Sequence, residues 1–225
     1  MMAGKSAIIL GASRGLGLGL AAELAKRGWQ VTATQRSPSA ALAEAAKAGG
    51  IVVDTVDIDD ALAVEALAAR QTGPFDVVFV NAGVTGPKHG SVDKATADEL
   101  GALFLTNAVS PIRTARQFLG HVKPGGTVAF MSSILGSVTL KQHGMAELYS
   151  ASKAALNSLT RGFAAVEAKD FAVLTLHPGW VKTDMGGDGA DIDVATSVAG
   201  LADVLQTAVG KGHRYLDYTG KTLPW

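Results

Sequence analysis

Cysteine is absent from this 225-residue chain. Disulfides and thiolate metal sites are therefore excluded. Net charge is absent as well, because twenty Lys and Arg balance twenty Asp and Glu. A neutral chain exerts no broad attraction on nucleic acid or on an anionic membrane, so neither is expected as a partner. No apolar run approaches the roughly 20 residues that span a bilayer. Histidine is sparse. His89, His121, His143, His177 and His213 lie too far apart for a local ligand motif, and no metal is expected. The opening MMAGKSAIILG ends its short apolar run at Gly11 rather than at a cleavage site, and reads as a first strand. Together with the missing cysteine, this predicts a cytoplasmic protein. There is no internal repeat and no low-complexity linker.

What is present is apolar material, 48% of residues against 18% charged, enough for one large core. The length suits one domain or two small ones. Short apolar runs recur at 7–10, around 31, and at 51–53, 77–80, 127–130 and 172–174. Most are continuous rather than alternating, as in strands of a parallel sheet covered on both faces. Ala-rich periodic stretches at 15–28, 39–49, 60–70, 95–119, 147–169 and 193–209 read as the helices between them. This alternation predicts a single-domain doubly wound α/β (Rossmann) fold with a mostly parallel seven-stranded sheet. Gly/Pro clusters at 82–91, 135–146 and 178–192 follow strands, at the carboxyl edge where such folds bind ligands.

The first strand runs into Gly11-Ala12-Ser13-Arg14-Gly15-Leu16-Gly17. Glycines at a strand-to-helix turn permit tight geometry, and the helix start offers free N–H groups and a positive dipole end to a pyrophosphate. A Gly-rich turn that serves packing alone is the plainer alternative. Tyr149 and Lys153 stand four apart, on one face of a helix. A nearby ammonium favours phenolate and lowers a phenol's pKa, which suits an acid/base, although a surface pair has the same spacing. Ser132 and Ser133 end the fifth strand, where a hydroxyl can hold a carbonyl. Asn107 precedes Pro111 by four residues, and proline cannot bond the carbonyl of Asn107. The freed carbonyl either holds a proton-relay water near Lys153 or marks a simple kink.

These residues resemble the short-chain dehydrogenase/reductase family. The resemblance runs over nearly the whole chain, with the parts in the family's order: GASRGLG at 11–17, Asp57-Ile58, Asn81-Ala82-Gly83, Asn107, Ser133, YSASK at 149–153, and Pro178-Gly179. Within the family the chain is most similar to the C-factor or sniffer type of carbonyl reductase. The support is HPGWVKTDMGG at 177–187, KAALNSLT at 153–160 and the ending YLDYTGKTLPW. Ser133 and Tyr149 are 16 apart, a few more than usual, so residues within 137–148 must loop out, and Ser132 stays a possible substitute for Ser133.

The resemblance implies hydride transfer between a nicotinamide cofactor and a ketone, aldehyde or secondary alcohol, with Tyr149 as acid/base. By it, Ser133, Tyr149 and Lys153 form the catalytic trio and Asn107 the fourth member. Gly11, Ser13, Arg14, Gly15, Leu16 and Gly17 would bind phosphate, and Asp57 and Ile58 would meet adenine. Asn81 would steady the central strand, Ala82 and Gly83 would line the cofactor, and Pro178, Gly179, Val181 and Thr183 would hold the nicotinamide, alongside Tyr149 and Lys153. His177, which ends a buried strand, reads as structural. Gln35 stands where an NAD enzyme usually places an acid, and Arg36, Ser37 and Arg14 suit a 2′-phosphate. NADP(H) is therefore the expected cofactor, with NAD(H) as the alternative. A reductase of a pterin or quinone, and a dinucleotide-binding signalling protein, are the rival readings. The segment 185–191 carries little apolar material, which predicts an open, weakly selective pocket. Pairing through helices 95–119 and 147–169 (Leu100, Leu103, Phe104; Ala154, Ala155, Leu159) predicts a homodimer or homotetramer, unless these positions face the protein's own sheet.

Overall fold

The computed structural model describes residues 4–142, 144–208 and 210–225; His143 and the expected helix end at 209 lie outside the described residues. Seven strands form one sheet, in the order β3-β2-β1-β4-β5-β6-β7. They are β1 (Ser6–Leu10), β2 (Gln30–Gln35), β3 (Ile51–Thr55), β4 (Phe75–Val80), β5 (Val122–Met131), β6 (Ala172–His177) and β7 (Gly212–Asp217). All six pairings are parallel, with Ile9 opposite Ala33 on one side and Phe79 on the other. The continuous apolar runs have the expected cause: Ile8, Ile9 and Leu10 are all fully buried, because helices cover both faces.

One face carries α1 (Gly15–Lys26), α2 (Ala40–Lys47) and α7 (Val194–Thr207), packed through Leu20, Leu24, Leu42 and Leu201. The other carries α3 (Ala61–Ala69), α5 (Ser110–Phe118) and α6 (Glu147–Val166), packed through Leu67, Ile112, Phe118 and Phe163. Helix starts are set locally. Ser39, Asp60 and Asp193 cap α2, α3 and α7 with their side chains. Thr96 and Glu99 form a reciprocal capping box at α4 (Ala97–Phe104).

The stretch 95–119 is not the single helix its periodicity predicts. Between α4 and α5 the backbone widens into a π-helical turn, Leu105–Val109, centred on Asn107. Pro111 sits at the start of α5, and its ring and missing N–H break the ordinary ladder to residue 107. The strand order reverses beside β1, between β1 and β4, which opens the ligand crevice at their carboxyl ends. Among the described residues, no helix is long and apolar enough to cross a membrane, and no His/Cys/Asp/Glu group could hold a metal.

Candidate active site

The turn after β1 is built so that only glycine fits at two points. A Cβ on Gly17 would lie 2.2 Å from the Gly11 carbonyl oxygen and 2.6 Å from Asn81 Nδ2. Gly11 has φ +94°, and a Cβ there would lie 2.8 Å from the Ala82 backbone. Asn81 Nδ2 donates to the Gly11 carbonyl at 2.6 Å, and the Asn81 and Ala82 amides both donate to Leu10 at 2.9 Å, locking β4 to the turn. Helix α1 then starts at Gly15 with no side-chain cap and no acidic residue in its first turn. Its leading N–H groups thus stay available, which fits a pyrophosphate. Ser39 Oγ donates to the Ser13 carbonyl at 2.6 Å and draws the β2–α2 loop to the turn. In that loop Gln35 Oε1 accepts from the Ser39 amide at 2.8 Å, and Arg36 and Ser37 are exposed.

The residues expected on the adenosine side have partners of their own. Arg14 pairs with Asp184, both highly exposed. Asp57 uses Oδ1 to accept from the Asp59 amide at 3.0 Å, while Ile58 turns its side chain into the core and a small hollow between α3 and α5.

The central residues converge. Lys153 is buried and donates from Nζ to the Met131 carbonyl at 3.0 Å, and Nζ lies 5.8 Å from the Tyr149 ring centre. Gly83 faces both Lys153 and Asn107, and a Cβ there would sit 3.2 Å from Nζ and 3.3 Å from Asn107 Oδ1. The Asn107 amide makes a two-way clasp on Val84: Nδ2 donates to its carbonyl and Oδ1 accepts from its N–H, each at 2.8 Å. Nδ2 also donates to Ser152 Oγ at 3.0 Å. Asn107 thereby ties the loop after β4 to α6. Ser132 and Ser133 separate cleanly. Ser132 Oγ donates to buried Asn157 Oδ1 at 2.7 Å, away from Tyr149. Ser133 hydrogen-bonds the Tyr149 phenol and accepts from the Leu135 amide at 3.2 Å.

Burial pushes the Tyr149 phenol up to about 12, against a downward pull from the Ser133 hydroxyl. Burial also pulls Lys153 down to about 8. The sequence reading had Lys153 lowering the phenol's pKa. In the structure the phenol is raised by burial and lowered only by the Ser133 hydroxyl, while the ammonium donates to Met131. Lys153 still carries its charge through most of its population at neutral pH.

Ser133 and Tyr149 line a cavity of about 410 Å³ shared with Leu16, Pro178, Gly179, Val181 and Thr183. Gly179 has φ +84° and packs its open side on Ile192, while the Pro178 carbonyl accepts from Ser197 at 2.6 Å. Val181 bridges to Ile192. Ala146, also in the wall, holds a left-handed φ of 49° at the head of α6. His177 stays neutral, since burial pulls it down to about 4, in keeping with a structural residue.

Sequence reasoning missed the far wall. Trp180, Met185, Leu135 and Lys88 complete the cavity. Trp180 Nε1 donates to the Gly186 carbonyl at 2.8 Å, and Thr183 accepts from the Gly186 amide at 3.1 Å, so the glycine-rich stretch is pinned. Half-exposed Trp180, from outside 185–191, joins Met185 to form the apolar rim. No local pattern marks a rim-forming tryptophan in a loop.

The chain matches the sequence profile of the family described as short chain dehydrogenase over residues 5–191. It is 37% identical over 161 residues to C-signal of Myxococcus xanthus, covering 68% of this chain and 95% of that protein. A carbonyl reductase from Pseudomonas aeruginosa PAO1, solved in complex with NADP, is 42% identical with a TM-score of 0.92, covering 99% of this chain and all of that one. Carbonyl reductase Sniffer of D. melanogaster is 31% identical with a TM-score of 0.90, covering 99% of this chain and all of that one.

Proposed function

The chain belongs to the short-chain dehydrogenase family, and from that premise we propose that it is an NADP(H)-dependent carbonyl reductase with Tyr149 as its catalytic acid. One observation carries the reading: the Ser133 hydroxyl bonds the Tyr149 phenol in the wall of a cavity that Leu16 of the glycine turn also lines, with the buried Lys153 ammonium 5.8 Å from the phenol ring. The Pseudomonas relative with bound NADP supports the choice of cofactor. Gly11, Ser13, Arg14, Gly15, Leu16 and Gly17 would hold its phosphates, Arg36 its 2′-phosphate, and Asp57 and Ile58 its base. Asn81, Ala82 and Gly83 would back it, and Pro178, Gly179, Val181 and Thr183 would flank its nicotinamide. NAD(H) would serve less well.

Bound there, NADPH supplies the hydride that adds to the carbonyl carbon. Ser133 donates a hydrogen bond to the carbonyl oxygen and stabilises the negative charge that grows on it. Tyr149 gives that oxygen its proton, so a ketone becomes a secondary alcohol. With its phenol at about 12, Tyr149 is fully protonated at neutral pH, the form this role needs. Lys153 holds its charge beside the phenol and favours the phenolate left behind. Asn107 holds the π-helical turn in register with the loop after β4, which keeps Lys153 in place.

The test is loss of NADPH absorbance over a panel of aryl ketones, aliphatic ketones, aldehydes, a quinone and a pterin. Reduction of aryl ketones is the expected result, given the apolar wall of Trp180, Met185 and Leu135. The likeness to C-signal favours a second reading, a signalling protein that binds dinucleotide. Tight NADPH binding with no oxidation by any panel member would decide for that reading.

We also propose that the protein works as a homo-oligomer. Leu103 is buried within its own chain, but Leu159 and Val166 leave apolar surface on α6, at 42% and 74% exposure. Light scattering at micromolar concentration should give a multiple of 23.0 kDa; the monomer mass would overturn this.

A further inference from the structure

Beneath Ser133 lies a second layer that the mechanism does not use. Tyr215 is 1% exposed, and its hydroxyl, entering from β7, donates to the Ser133 carbonyl. That carbonyl also accepts from the Gly136 amide at 2.8 Å. Asn157 holds the same turn from α6: it accepts from Ser132 Oγ, donates to the Gly136 carbonyl at 3.1 Å, and hydrogen-bonds Tyr215. The Tyr215 ring is itself clamped. Trp225 stacks on it at 5.0 Å between centres, His213 lies 4.6 Å from Trp225, and Arg161 sits 5.6 Å over the indole. The Trp225 carbonyl accepts from the Thr139 amide at 2.9 Å, so the segment that clamps the ring also ties down the loop following Ser133.

We propose that Tyr215 is a positioning residue for the carbonyl chemistry: its hydroxyl fixes the Ser133 carbonyl and so holds the Ser133 hydroxyl against Tyr149. The proposal rests on the reading of the site given above. Ser133 sits in extended backbone, φ −157°, between the end of β5 and a single 3-10 turn, Ile134–Gly136. Within that stretch only the short turn holds it, through the Leu135 and Gly136 amides. Rotation about its backbone swings its hydroxyl off the phenol, and removing one of the two donors to its carbonyl permits that rotation. A group that binds a developing oxyanion tolerates little displacement, since about 1 Å costs on the order of 10²-fold. A phenylalanine would fill the same apolar slot and stack on Trp225 equally well. The hydroxyl therefore serves its partner rather than the packing. Among the described residues, Lys153 from α6 lies over the Tyr149 ring, Lys88 lines the same cavity as Tyr149, and His213 from β7 and Arg161 from α6 sit against the Trp225 that stacks on Tyr215. Burial, the larger cause, raises the Tyr215 phenol, and Tyr149 raises it further.

Tyr215→Phe tests this. With an aryl ketone, kcat should fall roughly 10-fold, a part of the loss for a full 1 Å misplacement. NADPH affinity should hold and the chain should stay folded, with Tm lower by only about 2–4 °C for the lost buried hydrogen bond. In a Ser133→Ala background the same replacement should add nothing, because it acts through Ser133. A readout without turnover comes from NMR of the NADP-bound protein carrying 13C-labelled tyrosine, with the Tyr149 resonance assigned by its loss in Tyr149→Phe. That resonance should move in Tyr215→Phe in the same sense as in Ser133→Ala. A Tyr149 resonance that does not move overturns the proposal, even if no carbonyl is reduced. So does an unchanged kcat, a further loss on top of Ser133→Ala, or a chain that fails to fold, since the hydroxyl would then serve the fold. If wild type reduces no ketone while the resonance moves as expected, the carbonyl-reductase reading fails and this one stands.

Discussion

Tyr149→Phe should bind NADPH as wild type does and lose at least ~10²-fold in turnover, the lower end of the range for general acid catalysis. The replacement removes one oxygen and keeps the ring, so the wall of the cavity is preserved. What is lost is the proton for the carbonyl oxygen, at the atom Ser133 also touches. The pH dependence follows from the phenol's position. Held up at about 12 by burial, it is a protonated acid through the neutral range, and ketone reduction should not gain from acidification. Alcohol oxidation needs the phenolate, a small fraction at neutral pH, and its rate should climb as pH rises toward about 8 and less steeply above it, where Lys153 gives up the charge that favours the phenolate. Lys153→Ala should depress both directions and weaken cofactor binding. Steady-state kinetics with an active ketone and the matching alcohol, alongside fluorescence titration of NADPH, measures all of this. Equal turnover of Tyr149→Phe and wild type would remove the phenol from the mechanism.

Exchanging Gln35 for Asp and Arg36 for Ala should reverse the cofactor preference from NADPH to NADH. A charged hydrogen bond contributes ~1.5–3 kcal/mol, so one lost phosphate contact implies roughly 10- to 150-fold, and the new carboxylate repels the phosphate besides. The two arginines stand differently here. Arg36 is exposed on the loop that Ser39 draws against the phosphate turn. Arg14 is held by Asp184, in a pair 72% and 79% exposed. Such a surface pair is worth only ~0–1 kcal/mol, less than a phosphate contact, so Arg14 can exchange partners at small cost. Both arginines are therefore available to the phosphate, and Arg36→Ala and Arg14→Ala should each lose NADPH discrimination. The measurement is kcat/KM for both cofactors. A wild-type protein that prefers NADH would show that the end of β2 does not read a phosphate.

Much of this molecule was determined by local pattern. Continuous apolar runs can be buried on both faces only in a covered parallel sheet, so residues 7–10, 77–80 and 127–130 announced the fold. The glycines at 11 and 17 are demanded by contacts of 2.8 and 2.2 Å that any side chain would violate, which is why the turn is readable as a motif. The Tyr149 and Lys153 spacing is a helical repeat, and a helix has one geometry. Where the backbone is irregular, only the tertiary structure could decide. Adjacent serines read alike until β6, β7 and α6 close around them, turning Ser132 to Asn157 and Ser133 to Tyr149. The π-helical turn at Asn107 needs Val84 and Ser152 to hold it, from elsewhere in the chain. Arg14 meets Asp184 170 residues away, and Tyr215 meets Ser133 across 82. Such contacts have no period: a loop side chain takes its direction from whatever packs against it, and that is settled when the sheet brings distant segments together.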